Sequence, residues 1–486
     1  MRILLASSEV HPYSKSGGLA DMAGALAKAL GRAGHQVGIV TPLYRGIRDR
    51  FPELRPFGWE MNLPLGSRMQ RASILTLAHS PGVTIYFVDQ PGYFDRPALY
   101  TEHGVDYADN GERFIFFSKA VVHLARYLPW QPEVLHLHDW QVGLVPILML
   151  HQKLTDGWIR VPRTCLTIHN LAYQGLFARS DYDLTNLPLD YFNLKGVEFY
   201  GHLNCLKAGI LYADTLTTVS PRYAREITTE ELGCGLDDIL RARQDALTGI
   251  LNGVDYEEWN TVKNPYLTAP YDVDDLSGKE VEKLALQKEF SLPPRADVPL
   301  FTNITRLAEQ KGVDIQMGAL EEMLAADLQF VLLGSGSPDY ELAYQRLARR
   351  YPKKVSVRIG FDQGLSHRIE AGGDFFLMPS RYEPCGLNQM YSLRYGTVPI
   401  VRITGGLDDS VVDIAEDLDH ANGIKFAEYS VRALAKAIRK ALVLFPSDDL
   451  MQHYRRNGMQ ADFSWDRTAA EYTQAYQKQS RRGAKE

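Results

Sequence analysis

Short apolar runs alternate with helix-forming stretches along almost the whole chain, and this alternation restricts the fold more than any other feature. Strands that alternate with helices form parallel sheets with right-handed crossovers. The predicted strands are Arg2–Ala6, Gly34–Pro42, Thr84–Asp89, Glu133–His138, Arg163–Ile168, Thr215–Val219, Leu300–Ile304, Gln329–Leu333, Val355–Ile359, Phe375–Met378 and Val398–Val401. The sequence therefore predicts the α/β class, with two Rossmann-like domains facing a cleft.

The expected domain boundary lies near Gly253, where the first series of strands ends. A chain of 486 residues is too long for one ordinary core, so two large domains are expected. The predicted domains are residues 1–253, residues 254–460 and a C-terminal segment, 461–486. In that segment Trp465–Gln479 has amphipathic helical spacing, and we expect this helix to cross back onto the first domain. The polar tail Ser480–Glu486 is expected to be frayed.

Composition and charge argue against several classes of function. The net charge is −6, so the basic surface that nucleic acid binding needs is absent and no nucleic-acid partner is expected. The four cysteines are far apart and form no CxxC pair, which argues against a disulfide framework and a zinc site. No stretch approaches the roughly 20 apolar residues of a membrane span, and the N-terminal run is too short for a signal peptide. We expect a cytoplasmic protein with no membrane partner.

Glycine-rich loops follow several predicted strands. In SKSGGLAD, Gly17 and Gly18 open a predicted helix whose free N–H groups suit a phosphate, and Lys15 adds a mobile cation. The alternative is a plain turn with a solvated lysine, since the GxGxxG fingerprint is absent. Gly334, in LLGSGSPD, marks a second glycine loop at a strand end, which by itself is weak evidence for a ligand site. The string ITGGLDD has a similar pair of glycines at Gly405. Either each half of the chain carries one such loop, or the similarity of two short strings is a coincidence.

Polar and aromatic residues follow two strands of the first half. Asp139, in LHLHDWQ, could accept hydrogen bonds from sugar hydroxyls, and Trp140 could stack on a pyranose ring. Equally, Asp139 could cap the next helix while Trp140 fills the core. His169 and Asn170 end the next strand, where a buried structural histidine is the alternative. No metal site is expected, because cysteines or carboxylates at ligand spacing are missing around His136, His138 and His169.

Three charged residues of the second half fit a ligand that joins a diphosphate to a sugar. Arg306 and Lys311 follow the strand LFTNI, and an arginine fork with a lysine point charge suits a diphosphate. In isolation, a solvated pair would be the simpler interpretation. Glu383 lies in a strand-to-helix loop; opposite two cations it would stay ionised and could orient sugar hydroxyls. The alternative is a glutamate favoured by the positive end of a helix dipole.

Taken together and in order, these segments match a family. The chain resembles the bacterial glycogen synthases, relatives of the plant starch synthases with the glycosyltransferase B fold, over nearly its whole length. The matching segments are SSEVHPYSKSGGLADM, LHLHDWQ, TIHNLAYQG, LKAGILYADTLTTVSP, GILNGVD, PSRYEPCGLNQMYSLRYGTVPIVR, TGGLDD and FSWDRTAAEY. The resemblance implies transfer of glucose from ADP-glucose to the non-reducing 4-hydroxyl of an α-1,4-glucan such as glycogen, with retention of configuration. It places the acceptor side in residues 1–253 and the donor side in residues 254–460, and we expect no cofactor.

The resemblance also implies roles for single residues. The catalytic group that it implies is Glu383, Arg306, Lys311, His169 and Asp139. The residues assigned to ADP-glucose are Lys15, Gly17, Gly18, Asp21, Gly334, Phe361, Cys385, Gly386, Leu387, Gly405 and Gly406. Those assigned to the acceptor or the sugar are Trp140 and Asn170. Phe361 falls where the family places an aromatic ring against adenine, but this ring would stack on uracil as well.

One departure concerns the ribose. Related retaining transferases carry a second glutamate eight residues after the first, where this chain has Tyr391. Ribose recognition is therefore expected from the tyrosine hydroxyl or from another group. The order of bond making stays open between front-face attack and double displacement through a carboxylate nucleophile.

Rival functions exist on the same fold and outside it. Transferases that use UDP-sugars, epimerases and pyridoxal-phosphate-dependent phosphorylases share this fold, so the fold alone does not exclude them. A catalytically silent glucan-binding protein is the alternative from another class. Such a protein should have lost the charged residues of the site, but Lys15, Arg306, Lys311 and Glu383 are all present.

Overall fold

The computed structural model describes residues 1–478 and divides the chain into two units of mutually contacting residues. Unit 1 contains Met1–Val219, Ala224–Gly253 and the described residues from Trp465 onward. Unit 2 contains Ser220–Tyr223 and Val254–Ser464. The C-terminal segment thus joins unit 1 at Trp465 rather than at residue 461. The acceptor and donor roles of the domains stay predictions.

The strands of unit 1 form one large sheet and two small ones. They are β1 (Arg2–Ala6), β2 (Gln36–Pro42), β3 (Arg55–Leu65), β4 (Arg68–Ser80), β5 (Val83–Asp89), β6 (Thr101–Glu102), β7 (Val105–Asp106), β8 (Val134–His138), β9 (Arg163–Ile168), β10 (Leu176–Phe177), β11 (Glu198–Phe199), β12 (His202–Asn204), β13 (Thr215–Thr218) and β14 (Leu247–Gly249). Among the described residues the large sheet has nine strands in the order β14-β13-β9-β8-β1-β2-β5-β4-β3. Its central strands are buried on both faces, as parallel strands between helix layers must be.

The strand order of unit 1 produces one crevice. From β1 the chain adds β2 and β5 on one side, and later adds β8, β9, β13 and β14 on the other. β1 pairs in parallel with both β2 and β8. At such a switch point the loops after the two central strands diverge, which leaves a crevice at their carboxyl ends. The loop after β1 leads to Gly17, and Asp139 directly follows β8.

Most of the α-helices in the first half of the chain belong to unit 1, and the eighth begins with residues of unit 2. The α-helices of this half are α1 (Gly18–Arg32), α2 (Ile47–Arg50), α3 (Pro91–Phe94), α4 (Asn110–Tyr127), α5 (Val145–Asp156), α6 (Arg179–Tyr182), α7 (Cys205–Tyr212), α8 (Pro221–Glu226) and α9 (Asp237–Ala242). The Ala- and Leu-rich α1 begins directly after the extended Gly17, and it buries the face that carries Ala20, Ala23 and Leu30.

The edge ribbon of unit 1 was not predicted from the sequence. β3 and β4 pair antiparallel, and β4 pairs antiparallel with β5. The turn between β3 and β4 uses Gly66, whose φ is +59°, as tight hairpins require. The alternating and mostly exposed pattern of β3 lacks the continuous apolar run by which the other strands were found.

Unit 2 has a six-stranded sheet that is parallel throughout. Its strands are β15 (Leu300–Leu307), β16 (Gln329–Gly336), β17 (Val355–Ile359), β18 (Phe375–Met378), β19 (Val398–Arg402) and β20 (Ile424–Phe426), in the order β17-β16-β15-β18-β19-β20. Its helices are α10 (Ser277–Glu289), α11 (Val313–Met323), α12 (Pro338–Arg350), α13 (Gln363–Gly372), α14 (Asn388–Arg394), α15 (Gly405–Ser410), α16 (Val431–Leu444) and α17 (Asp448–Gln460). The switch point lies between β15 and β18, so the segments at 308–311 and 379–387 flank it.

The C-terminal helix α18 (Trp465–Gln477) belongs to unit 1. It packs on α1, and Tyr476 Oη lies 2.8 Å from His136 Nδ1. The first residue of this helix, Trp465, packs against Gly253. Glycine is needed at position 253, because a Cβ there would lie 2.6 Å from the Trp465 ring. The predicted helix was to extend to Gln479; that residue and the tail Ser480–Glu486 lie outside the described residues.

The prediction of an α/β fold with parallel sheets in both halves is confirmed. One strand boundary in unit 2 was wrong in a way that matters, and one strand was missed. β15 extends to Leu307, three residues beyond the predicted end at Ile304, so Arg306 lies on the strand itself. The short β20 had not been predicted. Among the described residues, no helix combines the length and the apolarity that a membrane crossing requires.

Candidate active site

The glycine loop of unit 1 is open on the side of Gly17. Its φ and ψ are −157° and −165°, which is extended backbone that any residue adopts. A Cβ on Gly17 would meet no protein atom within 4 Å. The protein's own packing therefore does not require glycine here, and the empty space beside the backbone suits a ligand that approaches it closely.

The amides of this loop already have a partner, the buried carboxylate of Glu9. It accepts hydrogen bonds from the Ser16 amide, from the Ser16 hydroxyl at 2.6 Å and from the Gly17 amide at 3.3 Å. Tyr100 donates its hydroxyl to the same carboxylate at 2.8 Å. The idea that the Gly17 amide is free for phosphate is therefore corrected: in this structure it bonds Glu9.

Lys15 is paired within the same loop. Its Nζ lies 2.8 Å from the carboxylate of Asp21, one turn into α1. The two side chains are 49% and 33% exposed, so water screens the pair and either partner can exchange it for another at little cost. Lys15 is consequently available to an incoming anion.

Asp139 is buried next to this loop, at the end of β8. One of its carboxylate oxygens accepts the His169 amide at 2.7 Å, and its own φ is +61°. Burial raises the pKa of the Asp139 carboxyl to about 7, the amides of His169 and Asn170 oppose the rise, and the charge of Glu9 adds to it. The crevice of unit 1 thus brings Glu9, the glycine loop, Asp139 and His169 into one cluster.

The two sugar-side candidates of unit 1 differ in their surroundings. Trp140 is half-buried, and its ring packs at 5.0 Å from that of Phe114 and at 5.5 Å from that of Phe177. A Cβ on Gly175 would lie 2.4 Å from the same indole. Asn170 accepts a hydrogen bond from the Ala172 amide at 3.1 Å and shapes the following turn. Both side chains thus make packing or hydrogen-bond contacts within the fold itself.

In unit 2 the charged candidates meet at the switch point. Lys311 Nζ lies 2.6 Å from Glu383 Oε2, and the two side chains are 20% and 8% exposed. Ser380 donates its hydroxyl to the same oxygen at 3.1 Å. Arg306 is exposed on β15 and reaches Gln310 only at 3.5 Å. The result is one part-buried ion pair, with the carboxylate of Glu383 buried, beside one available guanidinium.

The second glycine loop packs directly against the segment that carries Glu383. The Gly406 amide donates to the Glu383 carbonyl at 3.2 Å and to the Pro384 carbonyl at 3.1 Å. A Cβ on Gly405 would lie 1.9 Å from the Glu383 carbonyl oxygen, and one on Gly406 would lie 2.0 Å from the Cys385 carbonyl oxygen. These two glycines allow the backbones of the two segments to touch.

The remaining donor-side candidates lie at or near this edge of the sheet. Cys385 is buried, Gly386 has φ +71°, and Leu387 immediately precedes α14. Gly334 pairs with Thr305 on β15, and its carbonyl accepts the Gly360 amide at 3.1 Å. Phe361 follows with 82% of its surface exposed, which leaves its ring open to a base.

Tyr391 has a ring partner in the protein. Its ring lies 3.7 Å from that of Trp259 at an interplanar angle of 4°. The Trp259 ring also stacks on His367 at 4.2 Å. The stack fixes the orientation of the tyrosine that stands in place of the second glutamate.

Sequence reasoning missed Glu9 as a part of the site. It lies in the motif SSEVHPYSKSGGLADM, but that motif served only to support the family resemblance. The available signal was an acidic residue directly after a buried strand and before a glycine loop. No group of three or more His, Cys, Asp or Glu residues suited to a metal ion occurs within residues 1–478.

Comparisons with known proteins agree in both halves of the chain. Residues 2–242 match the family model described as starch synthase catalytic domain, and residues 286–459 match the model for glycosyl transferases group 1. A glycogen synthase of Anaeromyxobacter sp. (strain Fw109-5) is 48% identical over 98% of this chain and 99% of its own length. The chain belongs to the glycogen synthase family. Another member, from Geobacillus thermodenitrificans, is 43% identical over 98% of this chain and 97% of its own length.

Solved structures agree with this family membership. The catalytic domain of starch synthase IV from Arabidopsis thaliana, bound to ADP and acarbose, matches with a TM-score of 0.87 and 32% identity over 98% of both chains. Sucrose-phosphate synthase from Thermosynechococcus elongatus matches with a TM-score of 0.58 and 18% identity over 98% of both chains, which shows the fold alone. The family resemblance, the glycosyltransferase B fold and the assignment as a glycosyltransferase are thereby confirmed. No comparison tests the individual site residues, which stay predictions.

Proposed function

We propose that the chain transfers glucose from ADP-glucose to the non-reducing 4-hydroxyl of an α-1,4-glucan, with retention of configuration. The observation that carries the proposal is the part-buried Lys311–Glu383 pair beside the exposed Arg306 at the switch point of unit 2. The glycogen synthase relatives and the ADP-bound starch synthase support the donor and the acceptor. A cytoplasmic location is part of the same proposal.

Arg306 and Lys311 are proposed to stabilise the departing diphosphate. An exposed guanidinium can form two parallel bonds to phosphate oxygens, and a preorganised donor aimed at developing charge is often the largest catalytic contribution. Lys311 is held by Glu383 and so presents its charge without reorganisation. These cations supply the positive charge, so we expect activity to persist after EDTA treatment in metal-free buffer.

Glu383 and Asp139 are proposed to bind sugar hydroxyls. Glu383 is anchored by Lys311 and by the Ser380 hydroxyl, and it keeps one carboxylate oxygen beyond those two contacts. Asp139 is anchored by the His169 amide. We favour front-face attack, in which the leaving phosphate takes the proton of the acceptor hydroxyl. Trapping of a covalent glucosyl-enzyme would contradict it and favour double displacement.

In unit 1, Lys15 and the open face of Gly17 are proposed to contact the donor. The Lys15–Asp21 pair is half-exposed, so exchange of Asp21 for phosphate is inexpensive. The empty space at Gly17 is the reason for placing a ligand there. Phe361 offers a stacking surface for the base without choosing between adenine and uracil.

The direct test is incorporation of labelled glucose into glycogen from ADP-glucose and from UDP-glucose, side by side. Strong incorporation from ADP-glucose alone is expected. Preference for UDP-glucose would keep the reaction and overturn the donor. Incorporation from neither, in a folded sample, would favour a silent glucan-binding protein.

Arg306→Ala should lower the turnover number by on the order of 10²–10³, as removal of one strong preorganised donor does. The matched control is Arg346→Ala, which removes an exposed arginine from α12 and should leave turnover unchanged. Steady-state kinetics on both variants measure the two turnover numbers. A loss of twofold or less in Arg306→Ala would show that this residue is misassigned.

A further inference from the structure

His138 and His169 form a histidine pair at the ends of β8 and β9. His138 Nδ1 lies 3.1 Å from His169 Nε2. His138 is fully buried, and its other nitrogen, Nε2, is buried with no hydrogen-bond partner in the described residues. His169 is half-buried, and its Nδ1 makes no protein hydrogen bond within residues 1–478. One hydrogen bond therefore joins the pair, and each ring has one nitrogen left over.

Both rings are neutral at ordinary pH. Burial lowers the pKa of His138 well below its usual value and lowers the pKa of His169 to about 3. Each ring consequently carries one proton, and the single hydrogen bond between them leaves two arrangements. The proton in the bond belongs either to His138 Nδ1 or to His169 Nε2.

The unpaired nitrogen of His138 decides between the two arrangements. If His169 Nε2 donated, His138 would carry its proton on Nε2, and that buried N–H would have no acceptor. If His138 Nδ1 donates, the buried Nε2 is a bare acceptor. Orphaned buried N–H groups are rarer in proteins than acceptors left unused, because the donor loses a strong bond to water. The second arrangement is the one that the structure accommodates.

We propose that His138 is a positioning residue that donates from Nδ1 to His169 Nε2 and thereby holds the proton of His169 on Nδ1. His169 then offers a hydrogen-bond donor at the sugar side of the site and turns no acceptor towards it. A hydroxyl oxygen of the transferred glucosyl unit is the ligand atom that such a donor suits. This part of the inference rests on the proposed function.

The neighbouring groups are consistent with this assignment. Asp139 bonds the main-chain amide of His169, so its carboxylate does not compete for the ring. His136 lies beside His138 with ring centroids 4.2 Å apart, but its nitrogens bond Thr167 and Tyr476 instead. His138 is therefore the described group that bonds the His169 ring.

The direct test is nitrogen NMR on protein labelled with ¹⁵N-histidine, which distinguishes a protonated ring nitrogen from a bare one. The His169 signals are assigned by their loss in His169→Gln. A protonated Nδ1 and a bare Nε2 in His169 are expected in the unsubstituted protein. A His169 ring protonated on Nε2 would overturn the proposal. This readout does not depend on catalysis.

Two substitutions of His138 provide a kinetic test. His138→Asn keeps an N–H donor at the place of Nδ1, so turnover should stay within about twofold of the parent. His138→Leu removes the donor along with the buried unpaired nitrogen. It should fold as stably as the parent yet lose about tenfold in turnover, the worth of about one hydrogen bond. A histidine that only fills space would give the opposite order, with leucine tolerated and asparagine harmful, and that order would overturn the proposal.

His123→Asn is the matched control, since His123 is half-buried on α4 and its ring packs against that of Tyr127 rather than against His169. It should leave both the His169 signals and turnover unchanged; a shift of the His169 tautomer in this variant would contradict the specific role of His138. If the unsubstituted protein transfers no glucose, the proposed function fails, while the tautomer assignment is still decided by NMR.

Discussion

Two loops of this molecule have almost the same sequence and different structural requirements. KSGGLAD opens α1 in unit 1, and TGGLDD opens α15 in unit 2. In the first loop, a Cβ on Gly17 would meet nothing within 4 Å. In the second, a Cβ on Gly405 would lie 1.9 Å from the Glu383 carbonyl oxygen. The first glycine of the pair has empty space beside it in unit 1, whereas the chain's own backbone fills the corresponding space in unit 2.

The hydrogen-bond partners of the loop amides also differ between the two loops. In unit 1 the Ser16 and Gly17 amides bond the side-chain carboxylate of Glu9. In unit 2 the Gly406 amide bonds the main-chain carbonyls of Glu383 and Pro384. We infer that the first loop is shaped for a ligand and that the second holds the segment carrying Glu383 in place.

The largest expected effect is that of Gly405→Ala. Its φ is +43°, a left-handed conformation that costs an L-residue about 1–2 kcal/mol, and the overlap with the Glu383 carbonyl adds an overpacking cost. The free energy of unfolding should fall by about 3–5 kcal/mol, which urea unfolding measures. Gly157→Ala is the control. Gly157 also has a positive φ, but a Cβ there would meet no atom within 4 Å, so the variant should lose only about 1 kcal/mol. Equal losses in both variants would show that the contact with Glu383 does not matter.

The ion pairs at or beside the two loops sharpen the comparison. Lys311→Met leaves the carboxylate of Glu383 buried without its counter-charge, and removal of one partner of a buried pair costs about 3 kcal/mol. Lys15→Met breaks the half-exposed pair with Asp21 and should cost no more than about 1 kcal/mol. Thermal unfolding of the two variants measures the difference. A greater loss in Lys15→Met would reverse the comparison.

The buried Asp139 should make stability fall with rising pH. Burial raises the pKa of this carboxyl to about 7, above the ordinary value of about 4 that it has in the unfolded chain. The folded protein therefore holds an extra proton between about pH 4 and pH 7. The stability that Asp139 contributes is fully present below that range and is lost as the pH rises through about 7, with a slope approaching about 1.4 kcal/mol per pH unit.

Asp139→Asn tests this prediction, because its amide oxygen can still accept the His169 amide but does not titrate. Urea unfolding of both proteins between about pH 5 and pH 8 should show the variant gaining stability relative to the parent as the pH rises. A constant difference across that range would show that Asp139 does not titrate there.

The sequence predicted the parallel cores because strands buried on both faces are continuous apolar runs, as in Phe375–Met378. It did not predict β3, whose alternating pattern shows only one buried face. The charged groups of unit 2 were found because cations at a strand end are unusual and the family motif marks them. Glu9 was missed because two of its four partners are backbone amides, and a sequence does not show which amides are left without a helical partner. Whether the two similar glycine strings form equivalent loops was also left open by the sequence, since the space around a Cβ depends on tertiary contacts.

The most direct test of the comparison is Gly17→Ala, measured for both stability and donor KM. The backbone at Gly17 is extended and the space for a Cβ is empty, so the free energy of unfolding should change by less than about 0.5 kcal/mol. The added methyl group would occupy the space proposed for the donor, so the KM for ADP-glucose should rise about tenfold or more. An unchanged KM with unchanged stability would contradict the account, because Gly17 would then serve neither the fold nor the ligand.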